Sequence, residues 1–485
     1  MTSTAMNSTA ESLLKTGWAL RDLADAMGAQ VDGSVAHVAI ERVSTDTRTL
    51  GAGDLFVALN GPNFDGARFA TAAVEAGAAA VVVAQGSGAR SAELGVPVLE
   101  VACTRRALGD LGRWVRELRD LEVVGITGSC GKTSTKEMLH VLLRAAGLRS
   151  SASPASFNND VGVPHTLLAC PEDAQVLVAE LGTNGRGEIA HLARLARPTG
   201  AIVTNVGASH LEGLGDEDGV ATEKGALPAA LPEGGFCVLN ADCTRTASMA
   251  GMSRARVHWF SLEDPNADLL ATDLEYGADG TTFTLSGTMV GEPGDERRVT
   301  LPLLGQHQVL NVLAALTAGR ALGAGIDALL SGLPLLAPVD GRGVRIEARG
   351  RVLLDESYNA NPTSTKAALQ ALAAMPEPGR RVAVLGRMHE LGPRAGALHR
   401  EVGTAARDAG LGLLVTVDAD EIAEGAVRAG FKGKLRRFST LEEARAGLEA
   451  QLEDGDVVLL KGSRAAGLDE LVRHLQRSAE EPALA

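Results

Sequence analysis

The run Gly125–Leu139, GITGSCGKTSTKEML, constrains this chain more than any other stretch. Val123, Val124 and Ile126 make an apolar run of strand type, and Met138, Leu139, Leu142 and Leu143 repeat at helical spacing. Gly128 and Gly131 let the chain turn between them. A strand, a glycine-bearing turn and a helix beginning at Lys132–Thr133 make an anion site: backbone N–H groups converge, the helix start adds partial positive charge and Lys132 adds a full one. Thr133 stands where a hydroxyl reaches a phosphate-bound magnesium. A plain glycine turn before an amphipathic helix would share the glycines, but here both flanking elements are present. The common GxxxxGK[ST] spacing needs glycine at 126, where Ile126 stands, so the loop has the shorter TGxxGKT form. Thr127, Gly128, Ser129, Cys130, Gly131, Lys132, Thr133 and Ser134 are the expected nucleotide contacts. The Cys130 thiol, beside Lys132 and a helix start, is expected to favour its thiolate; a sulfur turned into the core would not.

The formal charge of −14 argues against nucleic acid or an anionic membrane surface as the main partner, so a polyanionic substrate must find local positive sites. Cys103, Cys130, Cys170, Cys237 and Cys243 form no CxxC pair and no metal spacing with histidine, as expected of reduced thiols. No apolar run approaches the ~20 residues of a membrane span, and the first residues lack a secretory apolar region, so a soluble cytoplasmic chain is expected. The first eleven or so residues read as a frayed polar tail.

At 485 residues, about two to four domains are expected. Residues 12–118 read as a small α/β module: a helix over 18–28 ended by Gly28, a strand over 55–59, a helix over 67–76, a valine-rich strand near 80 and a helix over 105–118. Residues 119–336 alternate strands and helices around the phosphate loop, predicting a mostly parallel sheet. Glu180 stands at the carboxyl end of strand 174–182 and His210 in the loop of the strand stretch 200–215, at the edge where ligands collect in such sheets. Residues 256–304 read as strands with a hairpin near Gly277 and Gly280, before a helix over 310–322. A Pro/Gly-rich passage, 333–343, reads as a linker into a third, Rossmann-like domain, 337–485, which has no GxGxxG loop and is not read as a dinucleotide binder. The fold class is therefore α/β, with a small N-terminal domain, a central phosphate-loop domain and a C-terminal Rossmann-like domain.

Lys132, Thr133, Glu180 and His210 can be read together as an ATP–magnesium site, since magnesium takes one or two carboxylates alongside phosphate oxygens. By residue type alone His210 reads more readily as a structural loop histidine, and Lys224 as a solvated helix lysine. The order of TGSCGKTSTKEML, SFNNDVGVPHTLL, AELGTNGRGEIAHL, TNVGASHLEGLG, GQHQVLNVLAAL, DESYNANPTSTKAAL and VLLKGSR resembles the Mur ligases from about residue 18 to the final helix. The resemblance implies an ATP-dependent amide ligase of cytoplasmic peptidoglycan precursor synthesis, most similar to the member joining D-alanyl-D-alanine to UDP-N-acetylmuramoyl-tripeptide, and working as a monomer. Another acceptor, as in other Mur ligases or folylpolyglutamate-type ligases, and a non-catalytic nucleotide-binding regulator are the alternatives.

Carried over by position, the resemblance implies that Lys132 and Thr133 hold phosphates and a first magnesium with Glu180, that His210 binds a second, and that Lys224 becomes a carbamate ligand. It places His307 and Asn311 on the adenine side, Arg342 at the phosphates and Asp355 on ATP. Asp46, Thr47 and Arg48 match the UDP end; Asn158, Asn159, Asn184 and Glu188 lie near the sugar–peptide. Tyr358, Asn359 and Asn361 follow Asp355, and Lys461 and Arg464 are placed to meet substrate carboxylates. Gln308 stands where the family has asparagine, Arg387 where aspartate is common, and the residues after Arg464 depart from the usual pattern.

Overall fold

The computed structural model describes residues 17–61 and 64–477. The expected frayed tail lies outside them. The chain divides into two compact units, one drawn from Met1–Gly125, Arg149–Gly182 and Glu188–Thr199, the other from Ile126–Leu148, Thr183–Gly187 and Gly200–Ala485.

In the first unit, Val43–Ser44, Leu55–Val57, Ala80–Ala84 and Val98–Val101 form a parallel sheet in that order. The valines at 81–83 are fully buried, as a strand covered on both faces requires. Helices Leu20–Met27 and Thr104–Glu117 pack Leu20, Leu23, Leu108 and Leu111 into the core on one face. Gly28 ends the first of these helices at φ +66°, the left-handed conformation that glycine adopts without strain. The expected helix over 67–76 is split into a 3₁₀ turn, Gly66–Phe69, and a short helix, Ala70–Glu75. The same unit also holds a parallel pair, Ser150–Ala152 with Val176–Glu180, and Glu180 ends the pair's buried member.

In the second unit, parallel strands Gly200–Val203, Phe236–Asn240 and Arg256–Ser261 run side by side. Leu269–Gly277 then turns at Gly277–Gly280 into the expected hairpin with Gly280–Ser286, and Arg297–Leu301 follows. The helix expected from Leu310 starts earlier, at Gln306, because Gly305 at φ +101° lets the chain turn directly into it. His307 and Gln308 therefore lie on its first turn.

A second sheet in this unit has the order Val344–Ala348, Arg351–Asp355, Val457–Lys461, Arg381–Gly386, Leu413–Val417, Lys434–Phe438, parallel except for the first pair. Sequence patterning misses its two outer strands. Both carry exposed charge, Arg345 and Glu347 in one, Lys434, Arg436 and Arg437 in the other, which is how edges resist further pairing. Asp355 pairs with Leu460, so Glu356 and Lys461 emerge side by side at the carboxyl edge.

Candidate active site

The phosphate loop is held from the segment after strand Gly200–Val203. Ser129 N donates to Asn205 O at 3.0 Å and Cys130 N to Asn205 Oδ1 at 3.1 Å, while Asn205 Nδ2 and Thr204 Oγ1 donate to Cys130 O. Two loop amides are thus spent on Asn205, and the anion-binding dipole is that of the helix start at Lys132. Asn205 was not among the expected residues; a polar side chain just past a buried strand is the signal that marks it.

The two glycines are sterically required. A Cβ on Gly128 would lie 1.8 Å from Thr204 Oγ1, and one on Gly131, at φ +82°, 2.3 Å from Asn311 Oδ1. Lys132 Nζ folds back to donate to Gly128 O at 2.7 Å. Asn311, expected on the adenine side, accepts from Thr135 Oγ1 at 3.4 Å and donates to Gln308 Oε1 at 3.1 Å, so it buttresses the loop from behind.

The geometry disfavours the thiolate expected at Cys130. Burial pushes the thiol's pKa up, outweighing Lys132, and Sγ is hydrogen-bonded to Asn205 Oδ1 at 3.3 Å.

Lys224, in helix Glu217–Ala229, is no solvated lysine: it is 1% exposed. Burial first and Lys132 second push its pKa well below the ordinary lysine value, against the pull of Glu223. The shift favours the neutral amine, the form that attacks carbon dioxide, over the ammonium. Glu223 also accepts from Gly187 N at 2.6 Å. His210 is lowered by burial and then by Lys132, with Lys224 contributing, so the three groups lie within electrostatic reach of one another. Its Nδ1 is 2.5 Å from Glu390 Oε2. A helix-start hydroxyl at Thr133 and the imidazole of His210 suit a magnesium ion bound with phosphate oxygens.

From the second sheet, Asp355 accepts from Ser357 N, and Arg342 stacks on the Tyr358 ring at 4.1 Å, with Arg464 at 5.6 Å on the same ring. A cavity of about 370 Å³ lies beside them, lined by Asp340, Asp355, Tyr358, Arg464 and Arg473. Asn361 caps helix Pro362–Ala374 through Ser364 N and donates to Ser129 O at 3.2 Å, tying this segment to the phosphate loop. Asn359 Oδ1 accepts from Ala360 N.

Lys461 differs from expectation. Its ammonium is 3.1 Å from Glu356 Oε2 and 3.0 Å from Asn359 O, at 2% exposure, so it holds the loop after Asp355 instead of facing a substrate carboxylate. Burial alone would raise the Glu356 pKa, but Lys461 and His307 overcome it and hold the carboxyl at about 2. Arg387, at the position where the family has aspartate, donates to Asp418 O at 3.2 Å.

The remaining expected residues belong mostly to the first unit. Asp46 is bound by Arg48 at 2.6 Å, and Thr47 lies between them on a turn. Asn158 Nδ2 donates to Glu180 Oε1 at 2.9 Å, and Glu180 N to Ser153 Oγ. Asn159 Oδ1 accepts from Gly162 N at the start of helix Gly162–Leu168. Glu188, exposed, opens helix Glu188–Ala196; Asn184, also exposed, is in the second unit.

Three family models match the chain: the Mur ligase catalytic domain over 39–114, the middle domain over 126–319 and the glutamate ligase domain over 341–464. The UDP-N-acetylmuramoyl-tripeptide–D-alanyl-D-alanine ligase of Escherichia coli K12 is 39% identical over 463 residues, 95% of this chain and 98% of that one. The chain belongs to the Mur ligase family. The Bacillus subtilis ligase of the same name is 32% identical over 92% of this Mur ligase and 97% of its own length. Among solved structures, MurF from Acinetobacter baumannii superposes with a TM-score of 0.85 at 30% identity, covering 95% of this chain and 99% of that one. MurF from Thermotoga maritima in complex with ADP gives 0.78 at 28%, covering 90% and 97%. A folylpolyglutamate synthase from Mycobacterium tuberculosis, 18% identical with a TM-score of 0.59, shares the fold.

Proposed function

We propose that this Mur ligase is the enzyme that joins D-alanyl-D-alanine to UDP-N-acetylmuramoyl-tripeptide at the expense of ATP, in the cytoplasm and as a monomer. The observation that carries this reading is the 39% identity to the Escherichia coli ligase of that name across 95% of the chain. We also retain the partition into domains 12–118, 119–336 and 337–485 as part of the proposal.

The chemistry follows from the site. A carboxylate oxygen of the tripeptide attacks the γ-phosphorus of ATP, the bond to the bridging oxygen breaks, and ADP leaves. The amine of D-alanyl-D-alanine adds to the acyl-phosphate carbon, loses a proton, and phosphate departs as the tetrahedral centre collapses to the amide. Such transfers need positioning and charge neutralisation more than covalent help. Lys132 and the helix start behind it neutralise phosphate charge. Thr133, His210 and a carbamylated Lys224 would hold magnesium. When bound, magnesium neutralises phosphate-oxygen charge during transfer. As an ammonium Lys224 would repel the ion; carbamylation of the amine makes it an anionic ligand. Arg342, which stacks on Tyr358, and Asp355 would contact the nucleotide, and the 356–361 loop would help exclude water from the acyl phosphate.

Phosphate release by the full chain should require ATP, UDP-N-acetylmuramoyl-tripeptide and D-alanyl-D-alanine together. Release supported equally by another amino acid would redirect the reading to a different acceptor. Nucleotide binding without any release under these conditions would favour the regulator.

A further inference from the structure

His210 makes its closest polar contact with a residue that no sequence motif singled out. Its Nδ1 lies 2.5 Å from Glu390 Oε2. Glu390 comes from the segment after strand Arg381–Gly386 in the C-terminal sheet, His210 from the loop after strand Gly200–Val203, and both belong to the second unit. The pairing is not a lone surface ion pair. Glu212 N donates to Glu390 O at 3.1 Å, and Arg394 Nη1 meets Glu217 Oε2 at 2.5 Å, so the two segments are also fastened by backbone and side chain just beyond His210. Both residues adopt left-handed backbone, His210 at φ +52° and Glu390 at φ +61°, a conformation non-glycine residues hold only where their surroundings enforce it.

We propose that Glu390 is a positioning residue: by accepting the Nδ1 proton it fixes the tautomer and ring orientation of His210, leaving Nε2 as the nitrogen offered to the metal–phosphate site beside Lys132 and Lys224. This rests on the reading of His210 as a metal ligand in the ligase reaction. A ligating imidazole ordinarily gives its other N–H to a carboxylate or carbonyl, which sets the ring and raises its basicity. The unusual feature here is where the carboxylate comes from. Because Glu390 arrives with the C-terminal sheet, His210 is oriented only while the 387–394 segment is seated, so seating that segment and completing the site are one event. Glu390 is about half exposed at its side chain, so its removal leaves the fold intact.

The test uses the full chain and two readouts that do not depend on turnover. In metal-free wild type, nitrogen-15 NMR of His210 should show Nδ1 protonated; Glu390→Ala should move the proton toward Nε2, and Glu390→Gln, which keeps an acceptor, should resemble wild type. By electron paramagnetic resonance, Mn²⁺ affinity in the presence of a non-hydrolysable ATP analogue should fall on the order of tenfold in Glu390→Ala. It should change less than about threefold in Glu390→Gln, and Glu390→Ala should add no further loss in a His210→Ala background. Unchanged tautomer and Mn²⁺ affinity in Glu390→Ala, or an equal further loss without His210, would overturn the proposal. Phosphate release by the wild type is measured alongside, so failure of the ligase reading is seen separately.

Discussion

Replacing Lys461 by methionine isolates the one charge pair that the structure buries at the junction of strands Arg351–Asp355 and Val457–Lys461. Lys461 is 2% and Glu356 8% exposed, so neither charge is offset by water. Removing the ammonium leaves the buried carboxylate with His307, 3.5 Å away, as its remaining charged partner, where a buried carboxylate stripped of its partner costs roughly 3–5 kcal/mol. The depressed carboxyl pKa sets a similar ceiling: a drop from 4.5 to about 2, shared between Lys461 and His307, corresponds to about 3 kcal/mol. Because this pKa is depressed, the stabilisation is complete above pH 4.5 and fades as the pH falls toward 2. At neutral pH, Lys461→Met should therefore lose up to about 3 kcal/mol, read from urea unfolding with hydrogen exchange at 351–355 and 457–461. Glu356→Gln added to it should restore most of the loss, since a neutral amide removes the unpaired charge. The single variant should also lose its acid-side dependence. A loss under about 1 kcal/mol, or a double variant no better than the single, would refute the pairing and return Lys461 to the substrate.

Lys132→Ala should lower ATP-dependent phosphate release more than about a hundredfold, or ~2–4 kcal/mol of transition-state stabilisation, with an unchanged melting temperature; a near-normal rate would remove Lys132 from the reaction. Lys224→Ala should lose activity and regain part of it with formate or acetate, and carbon-13 bicarbonate should show a carbamate on the wild type. Full activity of that variant without any adduct would reject a ligand role. Maleimide should label the exposed Cys103 faster than Cys130, whose thiol is raised by burial, and Cys130→Ser should stay active; labelling of Cys130 first would show that the loop's positive charge wins after all.

The phosphate loop, the alternation of strands and helices and the hairpin at Gly277–Gly280 were readable from the chain because each is written in local terms: glycine at a tight turn, valine runs between buried faces, apolar spacing near 3.6. Lys132 and Thr133 follow from the loop alone. Other roles depend on what a side chain meets. Lys224 looks like any solvated helix lysine until burial beside Lys132 strips it of water, and Cys130 looks activated until the same desolvation pushes its thiol the other way. The outer strands Val344–Ala348 and Lys434–Phe438 escaped because their interleaved charges break the continuous apolar run that marks the buried inner strands. Lys461 reads as a substrate clamp in sequence, yet parallel pairing of two strands distant in the chain sets it beside Glu356. Glu390 and His210 are 180 residues apart, and no pattern of spacing brings them together. Desolvation and long-range pairing are sums over neighbours that local sequence does not contain, so they appear only once the chain has folded.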